Sequence, residues 1–463
     1  MVILIKQVIH VSKAGIGGGI GIHETFCKKY DASVVIKNGS GSGDHALKYK
    51  QGKHDYTVRL SNFGCGTLLD IPTYFAEDYL LTIEPLLNDI AVLRDKDICK
   101  DPMKLLYIDK KAIAVLPYHT VLSRTLAMAA QDTSGTCGSG SGKAYVYAKE
   151  MPELAVYAGD FSNMKTLRAK LVSLRSWVRM WLKPFTVNSF TNESDRRKFL
   201  KYQELLFDPG DKRLDLMVEE LHYLGTKLTY KSLPEILEMF DGTAVVEMSH
   251  GILADSELGF QPYVCDFRTI PQVFDKKLRT AGFKGKIRHF IVHRAYQYRH
   301  GPSPMPTCDK EYEMLLGMSK KKEENRWRGS ARYGYFDMLQ LAYAIECCGG
   351  PKKVDGLCIT CFDHVMSKCS SWDICEAYRP KDEGKMLLPY GGKLTTESFD
   401  GVKPFICSFD FPKDKAVFKN KRTLFEFVDS SLRMCGIEVP LKLLSCSSGS
   451  QRRYWREDFS MAK

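Results

Sequence analysis

A chain of 463 residues with 44% hydrophobic side chains is long enough for a sizeable core. That excludes a disordered polymer, and no stretch approaches the roughly 20 uninterrupted apolar residues of a membrane span. A net charge of +12 suits anionic ligands, either nucleotides or nucleic acid. The 15 cysteines are odd in number and follow no regular spacing, which excludes a secreted disulfide framework and points to reduced thiols in a cytoplasmic setting.

The first element is the apolar run Val2–Val11, read as a strand; it is too short for a leader and lacks a small-residue cleavage site. It runs into SKAGIGGGIGIHE, where glycines open a helix and no charge stands between Gly15 and Ile22. Such a loop brings backbone N–H groups up to a phosphate, with Gly17, Gly18, Gly19 and Gly21 as the candidate contacts. Its Gly-x-Gly-x-x-Gly count is imperfect and lacks the later acidic residue of a dinucleotide fingerprint.

A second strand, Ser33–Lys37, leads into KNGSGSGDHAL, which carries Gly43, Asp44 and His45; a histidine closing a glycine loop can donate to phosphate or move a proton. After a strand at Ala112–Leu116 comes a third small-residue loop, DTSGTCGSGSGKAYVY. It is not a Walker A motif, because Cys137 stands where glycine is required and Ala144 where a hydroxyl is required. Three such loops at strand ends point to a phosphate-rich site rather than to linkers.

The clearest helix is MKTLRAKLVSLRSWVRMWL, with Leu167, Leu171, Leu174, Val178 and Trp181 at spacings of three and four and Pro184 beyond its end. Its basic residues Arg168, Lys170, Arg175 and Arg179 fit an ordinary solvated face better than a polyanion surface. Further strands are expected at Thr243–Met248, Ile287–Val292 and Gly356–Thr360. In the last, Cys358 and Cys361 of CITCFD have the spacing of a zinc knuckle, but a buried strand turns them to opposite faces, as packed thiols. Of two polar insertions, MSKKKEENRWRGSARY is the more basic, and its Trp327 with Tyr333 could stack on bases. No solenoid repeat and no long linker interrupt the chain, so a single domain over 1–463 is expected. The alternation of strands and amphipathic helices predicts an α/β fold with a large central, mainly parallel β-sheet flanked by helices.

Seven stretches, in order, resemble the adenylosuccinate synthetase family: VLPYH, GTCGSGSGKAY, VVEMSHGILAD followed by GFQPYV, AYQYRHGPSPMPT, RYGYFDMLQLAYAI, GLCITCFD and VPLKLLSCSSG. The resemblance implies a homodimeric ligase using a purine nucleoside monophosphate, aspartate and a nucleoside triphosphate, GTP or ATP, with Mg²⁺. The γ-phosphoryl group goes to O6 of the purine, and aspartate then displaces it. It places His45 on the family's catalytic histidine. Thr136, Cys137, Gly138, Gly140 and Gly142 fall on the loop around the monophosphate, with His250 at the position of a substrate-binding glutamine. Arg328 or Arg332 falls on the arginine loop that holds aspartate. Asp363 falls on the carboxylate that reads the donor base, and Ser445, Ser447 and Gly449 on the loop closing over it.

The same resemblance exposes departures. Gly17 and Ile20 replace an aspartate and a lysine of the opening loop, Cys137 a threonine, His250 the glutamine, and Cys361 a lysine beside Asp363. Asp44 replaces a glycine and is the candidate metal-binding carboxylate. A phage branch that aminates deoxyguanylate also has a small residue at the position of Gly17. The functional expectation is a purine nucleotide ligase. The alternatives are a family member that binds nucleotide without turnover and a basic nucleic-acid-binding protein; on the ligase expectation nucleic acid is not a partner.

Overall fold

A computed structural model describes residues 2–15, 22–41, 45–51, 54–130, 137–317, 326–327, 329–379, 395–399, 401–445 and 453–459, with the backbone alone for 45, 46, 48–51, 54, 55 and 130. Ten strands form one sheet. In spatial order they are Arg453–Trp455, Leu441–Ser445, Gly356–Thr360, Lys286–Arg294, Ile5–Lys13, Gly242–Met248, Ala32–Asn38, Thr73–Phe75, Leu106–Ile108 and Thr229–Tyr230. All neighbours run parallel except the antiparallel edge strand Arg453–Trp455. The α/β expectation therefore holds.

The central strands are buried on both faces, which is why they read as continuous apolar runs rather than alternating ones. Ile9, Val11, Val35, Val245 and Phe290 pack with Phe26 of the helix His23–Lys29 on one face. Val8, Val34, Ile36 and Val246 pack with Phe274 and Leu278 of the helix Pro271–Thr280 on the other. The chain first steps outward from Ile5–Lys13, then returns to insert Gly242–Met248 beside it, and finally builds the opposite side. The direction of winding thus reverses about Ile5–Lys13, and ligands of open α/β sheets bind at the carboxyl ends of strands at such a reversal.

One expected strand is displaced. Ala112–Leu116 shortens to Ile113–Val115, which pairs with Leu80–Thr82 in a separate two-stranded sheet, between the turn at Lys110–Lys111 and the helix Pro117–Ala130. The helix Met164–Leu182 lies where its periodicity put it, and the Asn163 side chain caps it by accepting from the Thr166 N–H at 3.0 Å. Its basic residues are engaged locally: Arg168 with Asp211 and Asp215, Arg175 with Asp211, and Lys170 with Asp160. Cys358 and Cys361 lie in different hydrophobic clusters, as the strand reading required, and the described cysteines are free thiols.

Candidate functional site

Charged side chains occupy positions that ordinarily hold valine or isoleucine at the carboxyl ends of the central strands. Lys37 and Glu247 are register partners, both buried, with Lys37 Nζ 3.3 Å from Glu247 Oε2. The other oxygen of Glu247 accepts from the Cys65 N–H at 2.7 Å. Burial pushes the Glu247 carboxyl up, but Lys37, His23 and the Cys65 N–H outweigh it and hold the group below its ordinary value. Lys13 is also buried, and burial together with Lys37 lowers its ammonium to about 8. Its Nζ donates to the Ser249 carbonyl at 3.4 Å. Two lysines around one carboxylate leave an excess of positive charge at the carboxyl ends of these strands, which is suited to an anion.

Two of the small-residue loops meet here. Ser40 Oγ lies 2.8 Å from Ser141 Oγ, which lies 3.0 Å from Ser139 Oγ. The Ser40 N–H donates to Ser249 Oγ at 2.9 Å, tying the second loop to the strand end that precedes His250. The third loop, Cys137–Gly140, opens the ten-residue helix Ser141–Glu150, whose N-terminal N–H groups and dipole favour phosphate. Gly138 and Gly140 have φ of 64° and 84°. A Cβ on Gly138 would meet the Trp327 ring at 2.7 Å, and one on Gly140 the His119 backbone at 2.5 Å. The Arg124 guanidinium donates to the Gly138 carbonyl at 2.9 Å and lies over the Trp327 ring. Trp327 therefore joins the basic insertion to this loop. Tyr333, buried among Tyr296 and Tyr298, is not a base-stacking surface.

A second anion-seeking feature lies on the two-stranded ribbon Gln297–His300 with Ala331–Gly334. Its register sets Arg299 opposite Arg332. Arg299 is 5% exposed, and it spends one N–H group on the Pro304 carbonyl at 3.2 Å, while Arg332 donates to the Ser303 carbonyl at 2.5 Å. Arg299 Nε and Nη2, Arg332 Nε and the Ser303 hydroxyl have no partner among the described residues. Burial and the neighbouring Arg332 charge depress the Arg299 guanidinium to about 9. One buried and one half-buried guanidinium with spare donors and no described carboxylate on them are what a carboxylate ligand would satisfy. Arg299 was not singled out by the sequence, although it stands within AYQYRHGPSPMPT.

At the far side of the reversal, Asp363 lies in the first turn of the helix Phe362–Lys368, after Cys361 in a left-handed conformation with φ 57°. Cys361, expected from the resemblance at the position of a lysine, has Arg294 as a neighbouring cation. Despite the cost of burial, the Cys361 thiol and the Tyr296 and Tyr298 phenols raise the Arg294 guanidinium above its ordinary value. Ser445 ends its strand, buried. His250 packs edge-on against Phe267, with centroids 5.2 Å apart.

The described structure thus gathers Cys137, Gly138, Gly140 and the segment leading to His250, and sets Arg332 beside Arg299. Gly17, Gly18, Gly19, Gly21, Gly43, Asp44, Thr136, Arg328, Ser447 and Gly449 lie outside the described residues. The backbone of His45 begins the strand His45–Gln51, which pairs with His54–Leu60, and its side chain also lies outside the described part. The two described carboxylates flanking the opening loop do not fit Mg²⁺: Glu247 is taken by Lys37 and Cys65, and Glu24 by Lys28.

Comparison with known proteins shows the family and the fold. The family model described as adenylosuccinate synthetase matches residues 20–410. An adenylosuccinate synthetase of Levilactobacillus brevis is 23% identical over 413 residues, covering 86% of this chain and 85% of its own. One from Petrotoga mobilis is 24% identical over 374 residues, 78% of each chain. Among solved structures, the fully ligated adenylosuccinate synthetase of Plasmodium falciparum superposes with a TM-score of 0.71 at 15% identity, covering 97% of this chain and 99% of that one. A cyanophage S-2L succinoaminodeoxyadenylate synthetase bound to dGMP and dATP superposes with a TM-score of 0.56 at 12% identity, covering 97% and 95%. The chain belongs to the adenylosuccinate synthetase family, whose members are C–N bond-forming ligases.

Proposed function

We propose that the protein joins the amino group of aspartate to the 6-position of a purine nucleoside monophosphate, using a nucleoside triphosphate to activate the 6-oxygen. The γ-phosphoryl group bonds to O6, the nucleoside diphosphate leaves, and the aspartate nitrogen then attacks C6. The C6–O6 bond breaks and inorganic phosphate departs with O6. The observation that carries this reading is the Arg299–Arg332 pair, since a buried and a half-buried guanidinium with unspent donors match a dicarboxylate amine substrate. The serine-linked loops and the N-terminus of Ser141–Glu150 match the monophosphate.

Phosphoryl transfer needs positioning and charge neutralisation more than covalent help from the protein. Lys13 supplies buried charge at the base of a loop that lacks its lysine. No step is assigned to Mg²⁺, because neither described carboxylate flanking the loop is free to bind it. The proposal extends to a homodimer in the cytoplasm, with Asp363 and Ser445 on the triphosphate's base and His45 at the transferring phosphoryl group. Whether that base is guanine or adenine, and which monophosphate is used, is tested by one screen. Inosinate, guanylate and their deoxy forms are each combined with GTP or ATP and aspartate, and phosphate is measured. Aspartate-dependent release with one combination supports the ligase. Nucleotide-induced thermal stabilisation without release in any combination supports the non-catalytic alternative.

A further inference from the structure

Below the site, on the face covered by the helix Pro271–Thr280, lies a cluster that the reaction does not use. His10 and His289 are register partners on adjacent parallel strands, so their side chains leave the sheet on the same face; the rings stack with centroids 5.0 Å apart. Asp275, on the covering helix, bridges them, with Oδ1 2.9 Å from His10 Nε2 and Oδ2 3.0 Å from His289 Nε2. One potential ligand atom from each of the three residues falls within 4.8 Å of the others. We propose that His10, Asp275 and His289 form a binding site for a divalent transition-metal ion of the Zn²⁺ class, separate from the nucleotide site.

Three observations support the assignment. Two imidazoles and one carboxylate form a ligand set that selects Zn²⁺ and similar ions over Mg²⁺, which prefers oxygen. Ligand atoms around a tetrahedral ion with bonds of ~2.0 Å lie roughly 3.3 Å apart, and Asp275 presents a separate oxygen to each imidazole nitrogen within about 0.4 Å of that. The His10 side chain is fully buried, whereas His289 and Asp275 are 13% and 22% exposed, so one side of the cluster is open for an ion to enter and keep a water. The site lies three residues before Lys13, roughly 10 Å along the strand, so a bound ion would tie the helix to the two central strands without touching the nucleotide.

The test uses the full chain, stripped with a chelator and titrated with Co²⁺ and Zn²⁺. Visible absorption and calorimetry follow binding, and thermal melting follows stability. The wild type should take up one ion here and melt at a higher temperature with Zn²⁺. Asp275→Asn and His289→Gln, each checked for native circular dichroism, should bind more than ~10-fold more weakly and lose the thermal shift. Cys65→Ser is the control, because His23, Cys65 and Glu247 form the other cluster with metal-binding spacing among the described residues, and it should leave binding unchanged. Two results would overturn the proposal: no ion retained by the wild type, or equal affinity in the wild type and both ligand variants. Loss of binding in Cys65→Ser with none in the two ligand variants would likewise overturn it, placing the ion at the other cluster.

Discussion

Arg299 and Arg332 face each other across a two-stranded ribbon, with spare guanidinium donors and no described carboxylate between them. Side by side and desolvated, they destabilise the empty protein and await an anion. Arg299→Gln and Arg332→Gln should each raise KM for aspartate by about 10- to 100-fold, the worth of one or two charge-assisted hydrogen bonds. The melting temperature should not fall, because a buried unpaired charge is removed. Arg332→Lys should restore little, since a point charge cannot reproduce the fork. Steady-state kinetics against aspartate and a melting curve check all three.

Lys37 and Glu247 predict the opposite behaviour. Lys37→Met leaves a buried carboxylate without its cation and should cost about 3–5 kcal/mol in urea unfolding. Lys37→Met combined with Glu247→Gln should recover part of that loss, because the neutral amide no longer needs a cation and still offers an oxygen to the Cys65 N–H. A double-mutant cycle measures the coupling.

Lys13 carries a pH signature. Its ammonium is depressed from 10.5 to about 8 by burial and by Lys37, so the folded state binds fewer protons than the unfolded state between those values. Stability should therefore rise with pH across that window, while triphosphate affinity should fall as pH passes about 8 and the charge is lost. In Lys13→Met both dependences should flatten, with the affinity already weak at pH 7. Calorimetric titration at several pH values reads the second effect directly.

At the monophosphate loop, Gly138→Ala and Gly140→Ala should each lose about 1–2 kcal/mol from the left-handed backbone alone. Gly140→Ala should be the worse of the two, because its new methyl meets the His119 backbone, whereas Gly138→Ala meets the Trp327 ring, which can shift. Urea midpoints and monophosphate binding give the ranking.

The central sheet was legible because continuous apolar runs such as Val2–Val11 and Gly356–Thr360 have few other uses. The short strands Thr73–Phe75 and Thr229–Tyr230 were not, since two or three residues carry no periodicity and gain their strand form from their neighbours. Ala112–Leu116 read as a strand on composition, and only pairing showed that it lies outside the central sheet. Of the site, the glycine loops were visible as sequence because positive φ at Gly138 and Gly140 demands glycine. Arg332 was singled out, together with Arg328, only through the resemblance to the family. Arg299 was missed because its meaning lies in the register opposite Arg332, which no spacing along the chain displays. His10 and His289 are 279 positions apart and meet for the same reason.

The ligase account is tested most directly by following the purine 6-oxygen. With ¹⁸O at C6 of the monophosphate that turns over, the account predicts that phosphate released in the presence of aspartate and triphosphate carries one ¹⁸O per molecule, and that His45→Ala releases none. Unlabelled phosphate, or no aspartate-dependent phosphate from any of the four monophosphates with either triphosphate, would contradict it.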